Sequence, residues 1–600
     1  MKILGISAYY HDSAAAIIEN GNIIAASLEE RYTGKKGDNS FPHNAINFCL
    51  NEAKISLKDV DYIVFYEDSI LKFDRIFTSN LLNFPKGYVQ YIASMSKWLS
   101  KDLWIENEIK KELHTNKKIY FSTHHMSHAA SAFYPSPFKE AAIITVDGVG
   151  QWHTTCLGYG NDNKINLFKC IEYPNSLGLF YSAFTYYLGF KINSGEYKVM
   201  GLAPYGKPIY VDLIKKNLIK INEDGSIILN QKYFGFTTGL KSVNKKFCKL
   251  FNKDVRKRES KITKKDADIA ASLQAILNEC MLKMANYLYE KTKCKNLVLA
   301  GGVALNVASN AYLKKYSKFE NIWVQPASSD AGGALGAAFY QYYQVLNNKR
   351  IIDENDSMKN AYLGDNIEET SNENTKILDS FGAIYKEYDK ESLAQKIAKY
   401  ISEDKIVAIA RGKMEFGPRA LGNRSIIASA ISDTMQQKLN LKVKKREGFR
   451  PFAPMVLKED AKKYFKDIDT SKYMLFTYEI KDELKNSFNL SGDVFKDVKI
   501  PKSKIPAVTH VDYSSRVQTV DKDSNYFMSL VLNEYKKITG ESIVVNTSFN
   551  LRGEPIVNSV KDAYKTFMST DIDYLVVGNI LLNKKDQPIL KKDRVKVKFD

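Results

Sequence analysis

Six hundred residues exceed one ordinary core, and a prior of about 150 residues per domain asks for several units or a few large lobed ones. A hydrophobic fraction of 44% with 26% charged residues is globular, no apolar run approaches the roughly 20 residues that span a bilayer, and the opening MKILGISAYYHDS reads as a first strand rather than a leader. The net charge of +19 invites a nucleic-acid reading, but 74 of the 87 cations are lysines scattered over solvated faces, which disfavours a basic binding stripe.

In chain order, KILGIS is a strand, and SAAAIIENGNIIAASLEE is two apolar runs around Asn20-Gly21, a hairpin signal. NAINFCLNEA reads as a helix and DYIVFY as a buried strand. Near residue 141 the plan recurs: AAIITVDGVG ends in Asp147-Gly148, and TTCLGYGNDNKINLFKCIEY gives two strands around a Gly/Asn/Asp turn. Such a repeat suits two lobes facing across a nucleotide cleft. DADIAASLQAILNECMLKMANYLYEKT is a long amphipathic helix, KNLVLAGGVALN a strand, glycine turn and helix, and NIWVQPASSDAGGALGAAFYQYY a strand, loop and helix. Residues 345–380 turn polar and mark a boundary, giving domains at 1–360 and 361–600. Residues 205–265 lack a clear period and elaborate the first domain. The six cysteines form no CxxC pair and read as reduced core residues of a cytoplasmic protein.

Three of the eight histidines fall within STHHMSHAA. His124 and His128 are four apart and share one helix face, a common way to offer a metal two nitrogens. Asp147 at a strand end and Asp330 opening a helix would complete a site with open positions, suited to Fe(II) or another divalent ion. His125 competes as a ligand on spacing alone, and a hydrogen-bonded cluster without metal is the plain alternative. Gly301-Gly302 with Asn306, and Gly332-Gly333 with Gly336, together suggest a nucleotide seat, although glycine also serves close helix packing.

Seven of the 13 arginines lie between Arg411 and Arg552. In so lysine-rich a chain this points to planar, bidentate recognition of phosphate. GKMEFGPRALGNRS carries Arg419 and Arg424, VKKREGFRPFAP carries Lys444, Lys445, Arg446 and Arg450, and THVDYSSRVQTV carries Arg516. Their Gly/Pro settings are tight loops, and no GxxxxGK[ST] motif occurs.

Taken in this order, GISAYYHDSAAA, HHMSHAASAFY, TVDGVG, SGEYKVMGLAPYG, LAGGVALN, DAGGALGAA, MEFGPRALGNRS, GFRPFAP, HVDYSSRVQTV and NTSFNLRGEPIV resemble the O-carbamoyltransferases of nodulation-factor, cephalosporin and aminoglycoside biosynthesis. The resemblance implies an α/β chain with an N-terminal actin-like, Kae1-like domain and a C-terminal YrdC-like domain. It implies that ATP, with Mg, and carbamoyl phosphate give carbamoyl-adenylate, held by Arg419, Lys445, Arg446, Arg450 and Arg516. The carbamoyl group would pass to a hydroxyl of a small molecule or sugar at an Fe(II) site of His124, His128, Asp147 and Asp330. Gly301, Gly302 and Asn306 would contact the adenylate, His11 would activate the acceptor, and Lys36 would stabilise the oxyanion. No membrane partner is implied, and a homodimer is left open. One departure stands out: the family's KKHD reads KKGD here, with Gly37 for the histidine. The competing readings are threonylcarbamoyl transfer to tRNA and an actin-like ATP-driven scaffold. The acceptor pocket is expected among residues 80–110 and 205–260.

Overall fold

The computed structural model describes residues 1–589 except 89, 90, 93, 94, 96, 97, 99–101 and 240, so part of the expected 80–110 pocket segment lies outside the described residues. The chain divides into two units. Met1–Glu29 and Asp38–Ser357 form the first; Glu30–Gly37 joins the residues from Met358 onward in the second. A single cut near 360 therefore misses one exchange: the segment that carries Lys36 belongs with the second unit.

In the first unit, β1 (Lys2–Ser7) runs antiparallel to β2 (Ala14–Glu19) and parallel to β4 (Tyr62–Phe65), with β3 (Asn22–Leu28) and β5 (Ile119–Phe121) at the edges. The order is β3-β2-β1-β4-β5. The second sheet repeats it. There β6 (Glu140–Val146) lies between antiparallel β7 (His153–Asn161) and parallel β9 (Asn296–Ala300), flanked by β8 (Lys164–Glu172) and β10 (Asn321–Val324). This duplicated five-stranded plan is the actin-like fold, and it accounts for the internal repeat seen in the sequence. The central strands are apolar along nearly their whole length because both sheet faces are covered.

Helix α2 (His124–Phe133) and helix α4 (Asp330–Phe339) pack against each other, and α4 also packs on β1 and β2. The glycines of DAGGALGAA make this possible. A Cβ on Gly336 would lie 1.8 Å from the Ser127 carbonyl oxygen, and one on Gly5 of β1 would lie 1.9 Å from that of Ala334. Gly332, Gly333 and Gly336 thus serve close packing.

Cys156 and Cys170 are joined by a disulfide across β7 and β8, against the expectation of six reduced thiols. The pairing slips by one residue at Phe168, so that Cys156 opposes Cys170; an unbroken hairpin register would have opposed it to Lys169. No helix among the described residues is long and apolar enough to cross a membrane.

The second unit is built on a mixed eight-stranded sheet. In chain order its strands are β11 (Lys386–Glu387), β12 (Val407–Ala410), β13 (Arg424–Ser429), β14 (Ala453–Leu457), β15 (Gln518–Val520), β16 (Ile543–Ser548), β17 (Tyr574–Val577) and β18 (Ile580–Asn583). They lie in the order β11-β18-β17-β12-β13-β16-β14-β15. Strand alternation sorts the core: Val407, Ile409, Ile427 and Val544 pack under helices α5 (Lys390–Ser402) and α6 (Tyr526–Thr539). Ala408, Ile426, Ala428 and Val545 face the other side, under α7 (Val560–Met568).

Candidate active site

His124 is the first residue of α2 and His128 stands one turn on, so both rings leave the same face. Asp147 follows the end of β6, and Asp330 opens α4. Their side chains converge, with the four ligand atoms within 4.8 Å of one another. The two Nε2 atoms are 3.1 Å apart. Asp147 Oδ2 lies 3.0 Å from His124 Nε2 and 3.4 Å from His128 Nε2, and Asp330 Oδ1 lies 3.8 and 3.7 Å from them. All four residues are buried.

This arrangement fits a divalent cation. Ligands about 2.0–2.2 Å from a shared ion stand roughly 3.0–3.5 Å from each other. Buried Asp330 Oδ1 has no hydrogen-bond partner, as expected of an atom reserved for a metal. The donor set of two imidazoles and two carboxylates suits iron, zinc or manganese. A second cluster, His153 with Cys156 and Cys170, is preempted by the disulfide.

Charge is balanced within the cluster. Burial works against its charge, yet the hydrogen bond to Asp147 and the nearby carboxylates of Glu67 and Asp330 lift His124 to about 10. Burial likewise opposes ionisation of Asp147, but its histidine partners hold it well below the ordinary carboxylate range. Asp330 is pushed up by burial. His125 is different. Its Nε2–H donates to the His153 carbonyl at 3.0 Å, and its Nδ1 accepts from the Thr145 hydroxyl at 2.7 Å. Burial, then the neighbouring His124 and His128, keep it neutral. Both ring nitrogens are engaged away from the cluster, so His125 is a strut rather than a ligand.

His11 stands beside Asp330, Nε2 to Oδ2 3.9 Å, while its Nδ1 lies 3.2 Å from Asp12. Burial lowers its basicity, but Asp330 and Asp12 outweigh that and lift it to about 10.

Sequence reasoning missed Glu67. It stands two residues beyond the end of β4 and is buried, with Oε2 3.4 Å from His124 Nδ1 and Oε1 2.5 Å from Lys72 Nζ. Burial raises Glu67, but Lys72 and then His124 overcome this and hold it at about 2. A carboxylate on Nδ1 turns Nε2, with its lone pair, toward the cluster. Glu67→Gln is expected to weaken divalent-metal affinity about 10- to 100-fold in a chelator-competition titration while leaving the fold intact. Lys72→Met is expected to weaken it less, because Lys72 acts only through Glu67.

The glycine turn after β9 serves the Asp147 carboxylate. Gly301 adopts φ 89°, and a Cβ there would lie 2.3 Å from the Val146 carbonyl oxygen. Gly302 N–H donates to Asp147 Oδ1 at 3.1 Å. The Asn306 side chain caps the helix Val307–Tyr316 through Ser309 N–H and exchanges hydrogen bonds with Gln274.

In the second unit the predicted cations divide into two kinds. Arg424 is wholly buried and donates to the carbonyls of Arg411, Gly412, Asn423, Asn558 and Asp365, which makes it a structural post. Arg411 pairs with Glu369 and stacks on Phe527. Glu415 accepts from the backbone N–H of Leu421, Asn423 and Arg424, and so shapes the loop that presents Arg419. Arg419, Arg446, Arg450 and Arg516 come together. Burial, then the charges of those three neighbours, push Arg516 well below the usual guanidinium range.

Of the lysine pair, Lys445 is exposed. Lys444 turns inward instead, donating to the Ser548 carbonyl and to Asn550 Oδ1. Burial drives Lys444 well below the ordinary lysine range, followed by Arg446, Arg450 and Lys36. Lys36 thus bears on this basic cluster, and Arg31 anchors its segment by donating to the Gly417 carbonyl at 2.8 Å.

Comparison with known proteins fits this division. The family models "Carbamoyltransferase N-terminus" and "Carbamoyltransferase C-terminus" match residues 2–339 and 398–584. "Uncharacterized protein sll1178" of Synechocystis is 48% identical over 99% of this chain and 98% of its own length. "Nodulation protein NolNO" of Sinorhizobium fredii is 34% identical over 96% of this chain and 79% of its own. "Uncharacterized protein MJ1058" of Methanocaldococcus jannaschii is 32% identical over 98% of this chain and all of its own. With both family models matched in order and relatives alike along nearly its whole length, the chain belongs to the carbamoyltransferase family and is a transferase enzyme.

Proposed function

We propose that the enzyme is an ATP-dependent O-carbamoyltransferase acting in two steps, one in each unit. The observation that carries this reading is the pairing of a His/Asp metal cluster in one unit with a cluster of guanidinium groups, Arg419, Arg446, Arg450 and Arg516, in the other. The second cluster suits two polyanions that repel each other, ATP and carbamoyl phosphate, which fixed cations can hold together. Water releases phosphate from carbamoyl phosphate. A carbamate oxygen then attacks the α-phosphorus of ATP, the bond to the β-phosphate breaks, and carbamoyl-adenylate and pyrophosphate form. The unit would be the YrdC-like half of the enzyme.

In the first unit, the acceptor hydroxyl attacks the carbamoyl carbon, the C–O bond to AMP breaks, and a carbamate ester and AMP leave. His124, His128, Asp147 and Asp330 would hold a divalent ion, iron by family resemblance, which would supply Lewis acidity for the transfer. Asp12 fixes Nδ1 of His11, so that Nε2 faces Asp330; a bound cation would offset the charge of Asp330 that holds the ring protonated and free Nε2 to take the hydroxyl proton. Glu67 orients His124, and Gly302 N–H holds Asp147.

The test is incubation with ATP and carbamoyl phosphate. Carbamoyl-adenylate and pyrophosphate are expected only when both are present; pyrophosphate that requires threonine instead would favour the tRNA-modifying alternative. His11→Ala is expected to slow transfer about 10²- to 10³-fold while carbamoyl-adenylate still accumulates, read by mass spectrometry.

A further inference from the structure

Arg75 stands apart from every other arginine of the first unit. It lies on helix α1 (Ser69–Asn83) and is only 9% exposed. Its guanidinium lies 5.0 Å from the centre of the Tyr173 ring, and among the described residues it forms no hydrogen bond and no ion pair. Arg350, by contrast, is buried against the carbonyls of Phe133, Tyr134 and Ser136, and Arg256 donates to Leu188 and Ser260. A buried guanidinium carries five donors, and leaving them unmatched costs more than a typical surface charge could recover. Such a group is retained where a ligand supplies the acceptors.

Its surroundings say which ligand. The charges and rings bearing on Arg75 are Tyr173, Tyr10 and Glu67. Glu67 is already committed to Lys72 and His124. The Tyr10 ring lies 4.6 Å from that of His11, tilted by 42°, and His11 in turn faces Asp330. On the other side, Trp152 donates to Asp74, the neighbour of Arg75, and Gln151 donates to the Asp68 carbonyl at the head of α1. Helix α1, the Tyr10-His11 turn and the Trp152 loop therefore wall one side of the metal cluster. Arg75 supplies a cation in that wall, and Tyr10 and Tyr173 supply flat faces on which a sugar ring or other planar group can rest.

We propose that Arg75 is the anchor of the acceptor subsite, and that the carbamoyl acceptor is an anion: a hydroxyl-bearing molecule, such as a sugar, that also carries a carboxylate or phosphate. This rests on the reading of the first unit as the transfer site. Arg75 pairs bidentately with the acceptor's anionic group and turns a neighbouring hydroxyl toward His11 and the carbamoyl carbon. The shape of the acceptor is thus set near α1, between the ends of β4 and β8, rather than in residues 205–260.

The test uses matched probes, glucuronate and glucose 6-phosphate against glucose, with the full chain loaded with metal. Binding is followed by saturation-transfer NMR and carbamoylation by mass spectrometry, in wild type, Arg75→Gln and Arg75→Lys. The wild type is expected to favour the anionic probes at least tenfold. That preference should collapse in Arg75→Gln and return in part in Arg75→Lys. Equal preference in wild type and Arg75→Gln would place the anion elsewhere, including at the basic cluster of the second unit, and overturn the assignment; so would a wild type that binds glucose as well as glucuronate. Should Arg75→Gln not fold, the wild-type preference and its change in Arg75→Lys still decide. Pyrophosphate formation from ATP and carbamoyl phosphate is measured alongside. Its absence would defeat the proposed function while leaving the anion measurement to stand or fall on its own.

Discussion

Asp147→Asn is expected to abolish metal retention and to lower carbamoyl transfer by a factor of a thousand or more. A Lewis acid supplies several kcal/mol of stabilisation to developing charge, and about 4 kcal/mol is a factor of about 10³. Asp147 is the carboxylate nearest both imidazoles, and Gly302 N–H holds its other oxygen, so the amide keeps the shape and loses the charge. His124 would then lack its closest anionic partner. Metal content by plasma mass spectrometry and product formation from preformed carbamoyl-adenylate are the two readouts. Carbamoyl-adenylate synthesis should persist. A metal-free Asp147→Asn enzyme that still transfers at a tenth of the wild-type rate would remove the ion from the chemistry. His125→Ala is the useful contrast: it loses two buried hydrogen bonds, about 1–3 kcal/mol of stability, but keeps its metal.

The second large effect is expected at Arg516. Removing one preorganised donor from a charged transition state costs about 10²- to 10³-fold, and Arg516→Ala should slow pyrophosphate formation by that much. Arg516→Lys should recover little, because a point charge cannot reproduce the planar fork. The same substitution is expected to leave the thermal midpoint unchanged or raise it. Arg516 is half-buried and feels the charges of Arg419, Arg446 and Arg450, and that mutual repulsion burdens the unliganded protein. A residue whose loss cripples activity without lowering stability is there for its ligand. A fall in melting temperature together with activity would instead make Arg516 part of the scaffold. Lys445→Ala, on the exposed side of its loop, is expected to matter much less.

Much of the candidate metal site was readable from spacing. The i, i+4 histidine pair and an acidic residue at the end of a buried strand are local patterns, and the structure brings His124, His128, Asp147 and Asp330 together. IVFYE in the other lobe carries a similar signal, with Glu67 two residues beyond β4 where Asp147 stands next to β6, but a tyrosine between strand and acid blurs it. What sequence could not settle was facing. Lys444 and Lys445 are adjacent, and the irregular turn before them leaves no helical period from which to choose the inward one. Arg424 and Arg419 share one motif, yet only the register of β13 buries the first under five carbonyls. The cysteine pair depended on a one-residue slip in a hairpin that alternation of apolar residues does not reveal. Arg75 gave no signal at all: it is a lone arginine on an amphipathic helix, and only the lack of a hydrogen bond or ion pair among the described residues distinguishes it.

The exchanged segment Glu30–Gly37 also constrains how this enzyme can be made. These residues leave the ribosome early, but the unit they complete is encoded only from Met358 onward. At about 5–20 residues per second, the intervening stretch takes roughly 15–60 s to synthesise. For that interval the first lobe must hold β3 in register and leave Arg31 without the Gly417 carbonyl it will bind. Neither half is therefore a transplantable cassette. A gene cut at the boundary near residue 358 yields a C-terminal piece missing eight of its own residues, among them Lys36, and the missing peptide would have to be supplied in trans to complete its basic cluster.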